Sequence, residues 1–139
     1  MMQLLVNVDV DDIERAIEFY RAAFGLQLGR RLFDGSVAEL IGASSKIYLL
    51  AKPAGSLPWR QATSARDYRR HWTPVHLDFE VADVEAAVER AIAAGARLEN
   101  EPRSFDWGRL AMLSDPFGHG FCLLQFTGRG YDEVAADDA

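Results

Sequence analysis

From Leu4 to Val10 apolar and polar positions alternate, with Leu4, Val6, Val8 and Val10 on one side and Leu5, Asn7 and Asp9 on the other. A repeat of two marks a strand with one buried face. The period then changes: Ile13, Ile17, Tyr20 and Phe24 recur at steps of three and four, which predicts a helix with one apolar stripe. Asp11 or Asp12 can cap its start, Asp11 with Glu14 having capping-box spacing, and Gly25 suits its end. Short strands are predicted near Leu28–Phe33, Val37–Ile41 and Lys46–Ala51, separated by Asp34-Gly35 and by Gly42-Ala43-Ser44-Ser45.

The plan then repeats. Val75–Val81 alternates, with Leu77, Phe79 and Val81 on one side and His76, Asp78 and Glu80 on the other. Asp83–Ala94 predicts a helix with Val84, Val88 and Ile92 inward, leading to Gly95. Strands near Arg97–Asn100, Arg109–Ser114 and Gly120–Phe126 complete the unit. The wording repeats as well: Val-Asp-Asp-Ile-Glu-Arg-Ala-Ile-Glu from Val10 returns at Val81 as Val-Ala-Asp-Val-Glu-Ala-Ala-Val-Glu. Neither unit is large enough to bury a full core alone, so the two are expected to pack together around a cleft. The fold class is therefore α+β: two tandem βαβββ modules, about 3–52 and 74–127, forming a curved, half-open mixed sheet.

Between them lies a connector, 53–73, without periodicity and rich in Pro, Gly, Ser and Arg. A helical turn around Ala65–His71 is expected, and Trp59, Tyr68 and Trp72 leave two readings open: a surface link, or a segment that folds over the cleft or supports a subunit contact. The tail, 128–139, with Asp132-Glu133 and Asp137-Asp138, reads as a frayed terminus.

Composition changes this picture little. A chain of 139 residues with 49% hydrophobic and 26% charged residues is that of one globular domain. The formal net charge of −6 argues against a nucleic-acid partner. No apolar run approaches the roughly 20 residues needed to span a bilayer, and Met-Met-Gln-Leu-Leu-Val shows no basic segment followed by an apolar core and cleavage site, so export is not expected. The single Cys122 excludes an internal disulfide, and a cytoplasmic location is expected. No phosphate loop, dinucleotide fingerprint or nucleophile elbow is present.

The duplicated unit, whose second half opens with His-Leu-Asp-Phe-Glu-Val and closes with Asp-Pro-Phe-Gly-His-Gly-Phe-Cys-Leu-Leu-Gln-Phe, resembles the vicinal oxygen chelate superfamily of glyoxalases, bleomycin-resistance proteins and extradiol dioxygenases. The resemblance covers about 3–127 and implies the fold. It does not imply one activity, since the fold serves lyases, isomerases, dioxygenases and drug-binding proteins. It does imply four cleft-facing metal-ligand positions, falling here on Leu5, Tyr48, His76 and Cys122. Only His76 matches the family pattern. Leu5 can donate nothing, and a phenol ionising near about 10 is a poor ligand. His76 and Cys122 alone fall short of the three fixed donors a catalytic metal wants, although Asn7, Asp78 and Glu80 share the cleft side of their strands.

The expected function is binding of a small, partly apolar molecule without a metal or other cofactor. The candidate ligand-binding residues are Asn7, Tyr48, His76, Asp78, Trp107, Arg109 and Cys122. Trp107 with Phe105 either walls a pocket or packs a loop, and Arg109 either clamps an anion or pairs with a carboxylate. His71 and His119 read as exposed, and Cys122 as a buried small apolar residue. The alternatives are a divergent metal-dependent lyase or dioxygenase, and sequestration of a cationic antibiotic. A homodimer is expected from the resemblance and from the commonness of isologous pairs.

Overall fold

A computed structural model describes residues 1–136. The first module comprises β1 (Val6–Val10), α1 (Ile13–Phe24), β2 (Gln27–Leu32), β3 (Val37–Ile41) and β4 (Ile47–Ala51). The second comprises β5 (Leu77–Glu80), α2 (Val84–Ala94), β6 (Arg97–Phe105), β7 (Gly108–Ser114) and β8 (Gly120–Phe126). They form two four-stranded mixed sheets, ordered β1-β4-β3-β2 and β5-β8-β7-β6. In each, the first strand runs parallel to the last and the remaining pairings are antiparallel.

Both helices begin with the same device. Asp12 accepts a hydrogen bond from the Arg15 amide and Asp83 one from the Ala86 amide, each satisfying a donor that the first turn leaves free. α1 ends at Gly25 in the left-handed conformation. The helices pack against each other and over their own sheets. Together they bury Val10, Leu40, Leu49, Val84, Leu113, Phe117 and Leu123 in one shared core. Phe24 of α1 stacks on Phe79 of β5 at 4.1 Å between ring centroids, which ties one module to the other.

Several expected details change. Leu4 is 71% exposed, because the parallel ladder starts at Val6 opposite Ile47 and nothing pairs beyond it. Ile92 is half exposed, since α2 buries Val84, Ala87, Val88 and Ala91 instead. β6 runs past Pro102 to Phe105; it is an edge strand with two register shifts, where a residue without an N–H costs no ladder bond. The connector has no helical turn at 65–71: the Arg66 amide donates to the Ser56 carbonyl and the His71 amide to the Gly118 carbonyl, so its backbone bonds reach across to other segments. Within the tail, Gly130–Glu133 form a 3-10 turn and the Tyr131 ring lies 4.7 Å from Phe126, so this part is packed rather than frayed. Asp137 and Asp138 lie outside the described residues. No helix among the described residues is long and apolar enough to cross a membrane.

Candidate functional site

Topology leaves β1 at the edge of one sheet and β5 at the edge of the other. A cleft of about 600 Å³ opens between these two edges. Because an edge strand shows both faces to such a gap, Val6, Asn7, Val8 and Asp9 all line it, as do His76, Leu77 and Phe79. Tyr20 and Phe121 complete an apolar wall, and Ala65–Tyr68, His71 and Thr73 of the connector form the other side. The connector thus folds over the cleft, whereas Trp59 and Trp72 are 65% and 81% exposed and stand outside it.

Polar side chains fasten that cover. Arg66 Nε donates to Asp9 Oδ2 at 2.7 Å, and its Nη1 reaches Ser56 Oγ and the Leu57 carbonyl. Tyr68 Oη donates to the Lys52 carbonyl at 2.7 Å; burial, followed by the charge of Asp9, pushes this phenol up to about 12. Arg70 grips Glu99 of β6 through two nitrogens, and that hydrogen bonding draws the Glu99 carboxyl below its ordinary range. The hydrogen bond from Arg69 likewise holds Asp67 at about 2. Gly118 makes the close seat possible: a Cβ there would stand 2.2 Å from the Arg69 carbonyl oxygen.

Beneath the cover, Asp115 organises the turn between β7 and β8. Its Oδ1 accepts from the Phe117 and His119 amides, and its Oδ2 accepts from Tyr20 Oη at 2.6 Å. The Tyr20 phenol is raised well above its usual value, first by burial and then by this carboxylate. His119 and His71, expected to be exposed, are both half-buried and line the cleft. His119 Nδ1 lies 2.9 Å from His71 Nε2, and its Nε2 lies 2.6 Å from the Asp9 carbonyl oxygen. The Asp-Pro-Phe-Gly-His turn was visible in the sequence, but nothing local indicates that it meets a connector nearly fifty residues earlier.

The candidate residues divide into three places. Asn7 and His76 line the cleft. Asp78 and Cys122 are paired across β5 and β8, outside the lining, and Tyr48 holds the matching register position beside Asn7 in the first sheet. Tyr48 Oη donates to Glu39 Oε2 at 3.0 Å, where Arg30 and Lys46 also converge. Trp107 and Arg109 stand apart. Trp107 stacks on Phe105 at 5.5 Å beside Phe126 and Tyr131, and Arg109 bonds Ser104 and Glu85.

The metal positions implied by the family resemblance require a test of fit. Leu5 is 57% exposed and without a donor, and the Tyr48 phenol is committed to Glu39. On the second sheet, however, ligand atoms of His76, Asp78 and Cys122 lie within 4.8 Å of one another, and His76 Nε2 is 3.1 Å from Asp78 Oδ1. The shortfall expected from His76 and Cys122 alone is therefore made up by Asp78. One nitrogen, one oxygen and one sulfur suit zinc better than magnesium or manganese. The thiol would have to give up its proton to a metal, against burial and then the charge of Asp78, which push it up to about 12.

Comparison with known proteins fits this architecture. The Glyoxalase-like domain model matches residues 5–124. Anthracycline biosynthesis protein DauV of Streptomyces sp. (strain C5) is 33% identical over 139 residues, spanning 96% of this chain but 44% of DauV. The chain thus spans less than half the length of that relative. A glyoxalase/bleomycin resistance protein/dioxygenase family enzyme from Burkholderia phytofirmans PsJN superposes with a TM-score of 0.68 at 22% identity, over 88% of this chain and 97% of that one. TnmS3, an antibiotic binding protein from Streptomyces sp. CB03234, gives 0.64 at 26% identity, over 91% and 97%. Two βαβββ modules, a cleft between their edge strands and a family match over most of the sequence place this chain in the glyoxalase-like domain family.

Proposed function

We propose that the protein binds a small, partly apolar molecule in the cleft between β1 and β5, beneath the connector, with no requirement for a metal. The observation that carries this reading is the cleft itself. Its volume of about 600 Å³ is in the range that holds a small organic ligand. Tyr20, Phe79 and Phe121 offer an apolar wall, while Asn7, His76 and the Asp9–Arg66 pair offer a few placed polar groups. The names of DauV and TnmS3, both tied to antibiotics, support a natural product with aromatic rings as the ligand class. A cationic antibiotic is the weaker choice, because Asp9 and Asp67 each already hold a guanidinium.

The test is titration of the metal-stripped protein with the uncharged dye N-phenyl-1-naphthylamine, beside an Ala65→Trp variant. Ala65 is exposed on the connector and lines the cleft, so the larger ring fills the space without cutting into the core. One dye per chain, weakened at least about tenfold by the substitution, is the expected result. Equal binding by both proteins overturns the reading.

The His76, Asp78 and Cys122 cluster favours a second reading, a divergent metal-dependent lyase or dioxygenase. Zinc held there would supply a Lewis acid beside the cleft, which His76 also lines. That reading predicts stoichiometric zinc lost together in His76→Ala, Asp78→Asn and Cys122→Ser. An isologous homodimer is the companion proposal. Leu5, Ile41 and Met112, 57%, 38% and 38% exposed, leave apolar side chains for a second copy to cover. Light scattering at the mass of one chain contradicts it.

A further inference from the structure

We propose that one excess proton, shared by His71 and His119, latches the connector over the cleft, so that ligand uptake is proton-linked; this rests on the cleft being the binding site. The two rings have four nitrogens, and each has one close polar neighbour. His71 Nδ1 lies 2.8 Å from the Arg69 carbonyl oxygen and His119 Nε2 lies 2.6 Å from the Asp9 carbonyl oxygen. A carbonyl only accepts, so both of these nitrogens carry hydrogen. The remaining two, His71 Nε2 and His119 Nδ1, face each other at 2.9 Å. Two neutral imidazoles have spent their protons on the carbonyls and would meet lone pair to lone pair. The contact becomes a hydrogen bond only with a third proton, which makes the pair one imidazole and one imidazolium.

The chain of bonds that results runs from the connector at Arg69, through both rings, to the edge of β1 at Asp9. The connector supplies one wall of the cleft, so the proton that holds it also holds the binding site closed. The surrounding charges have their own partners. Asp9 is bonded by Arg66, Asp67 by Arg69 and Glu99 by Arg70, while Asp115 is bonded by Tyr20 and two backbone amides. Carboxylates and guanidiniums keep their charge between about pH 6 and pH 9, where imidazoles lose theirs. His76, the third cleft imidazole, pairs with Asp78.

The sign follows. The latch is made in mild acid and lost as pH rises and the shared proton leaves. In stronger acid a second excess proton would set two cations 2.9 Å apart, and the grip weakens again.

Two measurements test this. The first needs no ligand: ring-nitrogen NMR of His71 and His119 at about pH 6, the acid end of the imidazole range, should find three protonated nitrogens of four, and finding only two there overturns the proposal. The second is the affinity for N-phenyl-1-naphthylamine, whose lack of charge leaves any pH dependence to the protein. Affinity should fall about tenfold from about pH 6 to about pH 9, as expected for loss of one charge-assisted hydrogen bond. The fall should vanish in His119→Gln and His71→Gln and persist in His76→Gln. A flat profile in the wild type, or the same slope in the first two variants, overturns the latch while leaving the cleft as a binding site. Failure of the dye to bind at any pH removes the binding reading, and the nitrogen count then decides whether the pair holds its proton.

Discussion

Glu39 is 3% exposed yet shares its carboxylate among Arg30, Tyr48 and Lys46. The hydrogen bond from Arg30 is the main reason its carboxyl falls from an ordinary 4.5 to about 2. A carboxyl drawn down by folding stabilises the fold above its unfolded value, and that stability drains as protons are forced on. Glu39→Gln should therefore be less stable than wild type at neutral pH, and the gap should close between pH 4.5 and about 2. Urea melts at several pH values check this, and a gap that widens in acid would contradict it. Tyr20 makes a second case. Tyr20→Phe keeps the ring but leaves Asp115 Oδ2 without its partner, which should cost about 1–3 kcal/mol by thermal or urea unfolding. The alternation along Val37–Ile41 places Glu39 opposite the core face, but its tie to Arg30 depends on a register shift in the β2–β3 hairpin that no periodicity announces. Tyr20 was legible as part of an apolar stripe, whereas its bond to Asp115, 95 positions away, was not.

At the scale of elements, the helices were the most readable parts. Each carries its own cap, apolar stripe and terminal glycine within one short stretch. The connector was not readable, because what shapes it lies elsewhere: Glu99 for Arg70, Gly118 for the His71 amide and Asp9 for Arg66. Its aromatics hinted at a cover, and it is Tyr68 with His71, rather than the tryptophans, that reaches the cleft. Gly118 and Gly55 allow that docking to be weighed, because both sit at φ +83°. A Cβ on Gly55 meets nothing within 4 Å, while one on Gly118 meets the Arg69 carbonyl oxygen at 2.2 Å. Gly55→Ala should show only the backbone strain, about 1 kcal/mol, and Gly118→Ala should cost more and speed hydrogen exchange at the His71 amide. Equal effects of the two substitutions would mean the connector is not seated as described.

For the whole molecule, the repeat told most of the story. Two strand–helix units too small to stand alone must share a core, and they do so through the packing of α1 on α2 and of Phe24 on Phe79. What sequence reasoning could not supply was which surface the shared core leaves open. Alternation assigned Asn7, His76 and Asp78 to one side, but a cleft formed by strand edges draws residues from both sides, which is why Val8 and Phe79 join Asn7 and His76 while Asp78 and Cys122 fall outside. The candidate site is consequently two adjacent features that meet at His76: an apolar cleft under a fastened cover, and a His-Asp-Cys cluster on the second sheet. The most direct measurement is a crystal structure of the metal-stripped protein soaked with N-phenyl-1-naphthylamine. The dye should lie between β1 and β5 against Tyr20, Phe79 and Phe121, beneath Tyr68, with no metal present. Dye found instead beside Asp78 and Cys122, or bound only after zinc is restored, would contradict a metal-independent binding cleft.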